Sequence, residues 1–150
     1  MSRQEEMDAI LSEIQSDSRV QEMKNYIQHG SITTYEHCES VARLSCAIDR
    51  KLSLGSDLEA LVSGAMLHDF FLYDWHDPET WVETMHGFNH PKVASRNARE
   101  YLDVDDKTSH VIASHMWPFT PTKLPLSREA WIVCVADKAV SLYETVFKRK

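Results

Sequence analysis

The sequence predicts an all-α fold: a compact, single-domain bundle of about seven helices. Three observations carry that expectation. Apolar residues recur at helical spacing through most of the chain, cap-and-break signals separate these stretches at helix-length intervals, and no alternating strand pattern stands outside them. At 150 residues, with 43% hydrophobic residues, four glycines and five prolines, the chain has ordinary globular composition and the length for a sizeable core.

Residues 4–14 read as a first amphipathic helix with Met7, Ile10, Leu11 and Ile14 on one stripe. Ser16-Asp17-Ser18 breaks it and caps a second, which carries Val20, Met23, Tyr26 and Ile27 up to a stop at Gly30, so that residues 1–30 form two N-terminal helices. His29 beside that glycine is expected at a helix C-terminus, facing solvent. A third helix runs from Thr33-Thr34 to about Leu52, and His37 shares the inward stripe of Val41, Leu44 and Ile48. Gly55-Ser56-Asp57 ends it and caps a fourth, with Leu58, Leu61, Val62, Ala65 and Met66 leading into His68-Asp69. Gly64 in that helix either permits close approach of a neighbour or is neutral.

The aromatic run Phe70 to Trp75 reads either as core with an anchored loop or as a wall over a pocket. Asp77-Pro78 starts a short helix over Glu79–Thr84. His86 to His90 is expected as a loop, with Pro91 at the first position of a helix ending near Leu102. On that helix Lys92, Arg96 and Arg99 form a solvated face. Asp105-Asp106 caps another helix, on which Val111, Ile112 and His115 point inward and His110 does not. Met116 to Pro125 holds three prolines and reads as an ordered loop. The last helix, from Ser127 to Phe147, places Asp137 in the middle of an apolar face shared with Ala130, Val133, Val140, Ser141 and Glu144.

Composition excludes several function classes. A net charge of −7 disfavours a nucleic-acid polymer as partner, and the basic end Lys148-Arg149-Lys150 is too short to reverse that. No apolar run approaches the roughly 20 residues that span a bilayer, and the polar, acidic N-terminus lacks a signal-peptide core, so a cytoplasmic protein without membrane partners is expected. Cys38, Cys46 and Cys134 form no CxxC pair and read as reduced, packed thiols.

The chemistry lies in His37, His68, Asp69, His90, His115 and Asp137. They stand on successive helices or helix ends at gaps of 31, 22, 25 and 22 residues, with His68 and Asp69 adjacent. Each is expected to face inward. Buried imidazoles and carboxylates must be hydrogen-bonded or hold a cation. Neutral imidazoles suit Fe, Mn, Zn, Co or Ni, and a carboxylate can bridge two ions.

A lone His, then His-Asp, then a distal Asp resembles the HD-domain superfamily of metal-dependent phosphohydrolases. The two intervening histidines resemble its dinuclear branch, which includes the HD-GYP phosphodiesterases and mixed-valent di-iron oxygenases. The resemblance covers residues 33–145. It implies one or two divalent transition-metal ions, with Asp69 as the bridge, His37, His68 and Asp137 on one ion, and His90 with His115 on the other. Asp69 and His68 would be the catalytic pair. Lys138 would neutralise a phosphate or face solvent; His86 competes with His90 for the ligand role, with His90 preferred; His76 is a candidate lid residue. There are departures from the hydrolytic pattern. Leu72 stands where many relatives have Lys, the Gly-Tyr-Pro signature is absent, and Met116 follows His115 where that branch has a second His. These disfavour a cyclic-dinucleotide phosphodiesterase. The resemblance therefore implies a metal-dependent hydrolase of a small phosphorylated metabolite or nucleotide, with a metal-activated hydroxide as nucleophile. A di-iron oxygenase is the alternative, and a non-catalytic metal-binding helical module the third reading.

Overall fold

In the computed structural model, which describes residues 1–77 and 86–147, seven α-helices surround a core built on the fourth. They are α1 (Arg3–Gln15), α2 (Ser18–Gln21), α3 (Thr34–Leu52), α4 (Leu58–Met66), α5 (His86–Leu102), α6 (Asp106–Ser114) and α7 (Arg128–Phe147). The all-α class holds. The short helix expected over Glu79–Thr84 and the basic end at 148–150 lie outside the described residues.

Helix α4 is apolar enough to be covered on every side: Leu58 and all seven residues from Ala60 to Met66 are buried. Asp57 starts it by accepting the Ala60 N–H. It packs against α1, α3, α6 and α7, and so sets where the turn that follows it can go. Gly64 faces α6 directly. A Cβ there would sit 2.4 Å from Cγ1 of Val111, so the glycine does permit close approach of the two helices. The N-terminus of the bundle is tied down by Arg3, whose guanidinium bonds Asp49 on α3 at 2.9 Å and the Ser56 carbonyl at 2.7 Å.

Two expectations fail. The second helix does not run to Gly30: α2 is one turn long and passes through a 3₁₀ turn, Glu22–Asn25, into a two-stranded antiparallel hairpin, β1 (Ile27–His29) and β2 (Ile32–Thr33). Val20 and Met23 already satisfy burial, and Gly30, at φ +58°, makes the hairpin turn rather than a helix cap. His29 therefore lies at a strand end, half-buried, and not on a solvent-facing helix terminus. The second failure concerns α5. Residues 86–90 are helical, and Pro91 sits inside the helix rather than at its first position. Pro91 has no N–H, so one bond of the helical ladder is missing there.

Candidate metal centre

Each of the six expected side chains is aimed by the backbone next to it. His37 stands one turn into α3, whose start is fixed by a reciprocal capping box between Thr33 and Glu36. His68 and Asp69 occupy the turn that closes α4. His90 lies in the second turn of α5, His115 caps the C-terminus of α6, and Asp137 is central in α7. All six are buried.

The histidine protons are placed by carbonyls and a carboxylate, which can only accept. His68 Nδ1–H donates to Ala65 O, His90 Nδ1–H to His86 O and His115 Nδ1–H to Ile112 O, each at 2.7 Å. His37 Nδ1–H donates to Glu144 Oε1, also at 2.7 Å. Every Nδ1 is thus the donor, and every Nε2 turns to the shared space as a lone pair when the ring is neutral.

That space has two halves. In the first, His37 Nε2 lies 3.2 Å from His68 Nε2 and 2.9 Å from Asp137 Oδ1, and His68 Nε2 lies 3.2 Å from the same oxygen. Asp69 Oδ2 closes it at 3.6 Å from His37 and 3.3 Å from His68. In the second, His90 and His115 bring their Nε2 atoms to 3.1 Å, and Asp69 Oδ1 lies 3.4 and 3.3 Å from them. Two donors on one ion at about 2.1 Å, set at octahedral or tetrahedral angles, would be about 3.0–3.4 Å apart. Asp69 Oδ1 is buried with no hydrogen-bond partner. An unpaired carboxylate oxygen facing two bare imidazole nitrogens is a costly arrangement unless a cation sits between them. The donor set fits divalent ions in both halves.

Without a metal, burial and neighbouring charges pull the rings of His37, His68 and His90 in different directions. Burial pushes His37 down, but its bonds to Asp137 and Glu144 outweigh that and lift it to about 10. His68 is likewise raised against its burial by Asp69 and Asp137. Burial raises Asp69 and Asp137, yet the imidazoles around them, His68 foremost, hold both carboxyls well below the usual range. At His90 burial wins, and the ring falls to about 3.

A family model of the HD domain matches residues 34–141, most of the chain and all six of these side chains. The chain belongs to the HD-domain family. Members of that family bind metals and are for the most part metal-dependent phosphohydrolases. No curated protein and no solved structure matches the chain. No helix among the described residues is long and apolar enough to cross a membrane.

Other residues of this HD domain fall into place around the cluster. His86 is in neither donor group; it stacks on His90 at 4.3 Å and on Trp75 at 5.0 Å, and pairs with the Tyr73 hydroxyl at 2.7 Å. Burial lowers it to about 4. Lys138 does not face the cluster's pocket. It turns back to donate to the His115 carbonyl and lies 3.2 Å from Cys134 Sγ, bracing the end of α6. His76 is exposed, with its ring against Trp75 at 3.9 Å and tilted by 32°, and it pairs with the Gln28 carbonyl at the pocket's edge. The aromatic run does form a wall: Phe71 packs on His86 and His90, and Trp75 lines the opening.

Three further residues hold the site together to which the sequence alone assigned no role. Gln28, delivered by the hairpin, donates to Asp69 Oδ2 at 2.9 Å. Glu144 fixes the His37 ring. Asn97 donates to the carbonyls of Phe70 and Phe71, at 3.1 and 3.4 Å, and so anchors the chain leaving Asp69. Glu144 lies seven residues after Asp137 on the same face, a signal that could have marked it.

The opening above the cluster is a pocket of about 260 Å³, with His29, Trp75, His86, Met116, Phe119 and Ser141 on its walls. A larger cavity, about 570 Å³, lies on the outer side of α5 and α6 and touches none of the six donors. Chemistry, not size, identifies the site.

Proposed function

We propose that this HD domain is a dinuclear metal-dependent phosphohydrolase of a small phosphorylated metabolite. The observation that carries the reading is the split of Asp69, whose two oxygens address two separate donor sets while one of them has no other partner. His37, His68, Asp137 and Asp69 Oδ2 would hold one ion, and His90, His115 and Asp69 Oδ1 the second. When bound, such a pair supplies Lewis acidity and lowers the pKa of water toward neutrality. The protein's own contribution is orientation. Glu144 and three backbone carbonyls fix the four imidazoles, Gln28 restrains the bridging acid, and the aromatic wall excludes water from one side of the pocket. Fe, Mn, Co, Ni and Zn all suit an imidazole-rich set with shared carboxylate.

Protein loaded with each of these metals and incubated with phosphomonoesters and phosphodiesters should release phosphate or alcohol. Two bound ions per chain with no turnover of any ester would overturn the reading. Leu72 in place of the Lys of hydrolytic relatives favours a second reading, a di-iron oxygenase, for which iron-loaded protein would consume O₂ in a substrate-dependent way.

A further inference from the structure

The pocket offers a substrate aromatic surface, and apart from its histidines the charged side chains among its described lining residues are the donor carboxylates Asp69 and Asp137. None of the described residues lining it is Lys or Arg, and residues 78–85, which follow the wall, contain neither. Lys138, the nearest lysine in sequence to a donor, is occupied with the His115 carbonyl. Two divalent ions would bring four positive charges, against which stand the buried carboxylates of Asp69, Asp137 and Glu144. The surplus is one positive charge, less than the roughly two negative charges of a single phosphate monoester, so none is left over for a second phosphate. A second phosphate would enter cation-free space, where an unpaired charge is expensive. The lysines and arginine that could meet one, Lys92, Lys123 and Arg99, line the separate outer cavity.

What remains for the organic part of the ester is flat and apolar. Trp75 stacks on His86 with the rings within 8° of parallel. Phe119, which lines the same pocket, is held by Phe88 at 4.9 Å and lies against Gly87, where an added Cβ would stand 3.1 Å from its ring. The glycine is what lets that ring come down on α5. The pocket, at about 260 Å³, is smaller than the roughly 300 Å³ at which drug-sized ligand sites begin.

Resting on the phosphohydrolase reading, we propose that the pocket selects monophosphate esters of compact aromatic or apolar alcohols and rejects di- and triphosphates, with Trp75 and Phe119 as its specificity-determining side chains. The test compares benzyl phosphate with glycerol 3-phosphate, both alkyl esters of similar intrinsic reactivity, and with adenosine diphosphate, on metal-loaded protein. Calorimetric binding of benzylphosphonate against methylphosphonate gives a readout independent of turnover. Benzyl phosphate should exceed the other two at least tenfold in kcat/KM, and benzylphosphonate should bind at least tenfold tighter than methylphosphonate. Trp75→Ala and Phe119→Leu should cut both preferences to threefold or less, chiefly through KM, with metal content unchanged. Hydrolysis that favours glycerol 3-phosphate or the diphosphate, or equal binding of the two phosphonates to the unsubstituted protein, overturns the proposal and leaves the hydrolase reading standing. No hydrolysis of any ester at full metal occupancy, with neither phosphonate bound, overturns both.

Discussion

Replacing Gly64 with alanine tests how closely the site's scaffold is packed. The added Cβ would lie 2.4 Å from Val111 Cγ1 and 2.8 Å from Val111 Cβ. Valine is stiff about χ1 and cannot swing clear. Restoring the shorter distance to an ordinary 3.4 Å contact moves α4 and α6 apart by about 1 Å. Overpacking of that kind costs about 1–3 kcal/mol. Alanine's better helix propensity returns about 1 kcal/mol, so a net loss of up to about 2 kcal/mol is expected. For a domain of this size that lowers Tm by up to roughly 8 °C. The two helices carry Asp69 and His115, whose facing atoms are 3.3 Å apart, so the second half of the cluster should lose metal affinity as well. Thermal unfolding with and without metal measures both effects. Val111→Ala in the same chain should relieve the clash, with a coupling of about 1 kcal/mol or more in the double-mutant cycle. A rise in Tm for Gly64→Ala alone, the result helix propensity by itself would give, or strict additivity in the cycle, refutes the reasoning.

Asp69→Asn should reduce bound metal from two ions to at most one by elemental analysis and bring hydrolysis to background, because the neutral amide cannot serve both halves. Glu144→Leu should weaken metal binding about 10–100-fold by freeing the His37 ring, whereas Glu144→Gln, which keeps an acceptor, should retain most of it in a competition titration. Asn97→Leu leaves the Phe70 and Phe71 carbonyls without their donor and should cost about 1–3 kcal/mol in denaturant unfolding. Asp49 is raised by burial but held below its ordinary value by Ser56 and Arg3, which outweigh it. A depressed carboxyl stabilises the fold above its unfolded value, about 3.9, and loses that contribution as pH falls from there through its lower folded value. Stability measured from pH 6 down to 2 should therefore fall less steeply in Asp49→Asn than in the unsubstituted chain. Arg3 is 42% exposed at its side chain, so Arg3→Ala should cost no more than about 1 kcal/mol.

The inward stripes of α1, α3, α4, α6 and α7 could be read directly, because burial on one face writes a 3.6-residue period into the sequence. The same period put His37, His115 and Asp137 on inward faces. The region from Val20 to Thr33 was harder. Val20, Met23 and Ile27 suit a helix as well as a turn followed by a strand, and only the hairpin's tertiary position decides between them. Gln28 and His29 were lost with that segment. At His86 to His90 the misleading residue was Pro91, a signal for a first helical position that the fold accommodates a turn further in. Lys138 shows a different limit. Its place beside Asp137 suggested a phosphate contact, yet a long flexible side chain can reach backwards, and the His115 carbonyl captures it.

His90 and His115 come from neighbouring helices joined by a short connection, whereas the other donors are drawn from α3, from the turn after α4 and from α7. Everything that would turn a one-ion centre into a two-ion centre is therefore written in one uninterrupted stretch, residues 86–115. The framework outside that stretch already supplies four donors of its own. Nuclearity in this architecture is modular along the chain: a graft or deletion confined to one pair of helices could change it while the remaining helices keep their places.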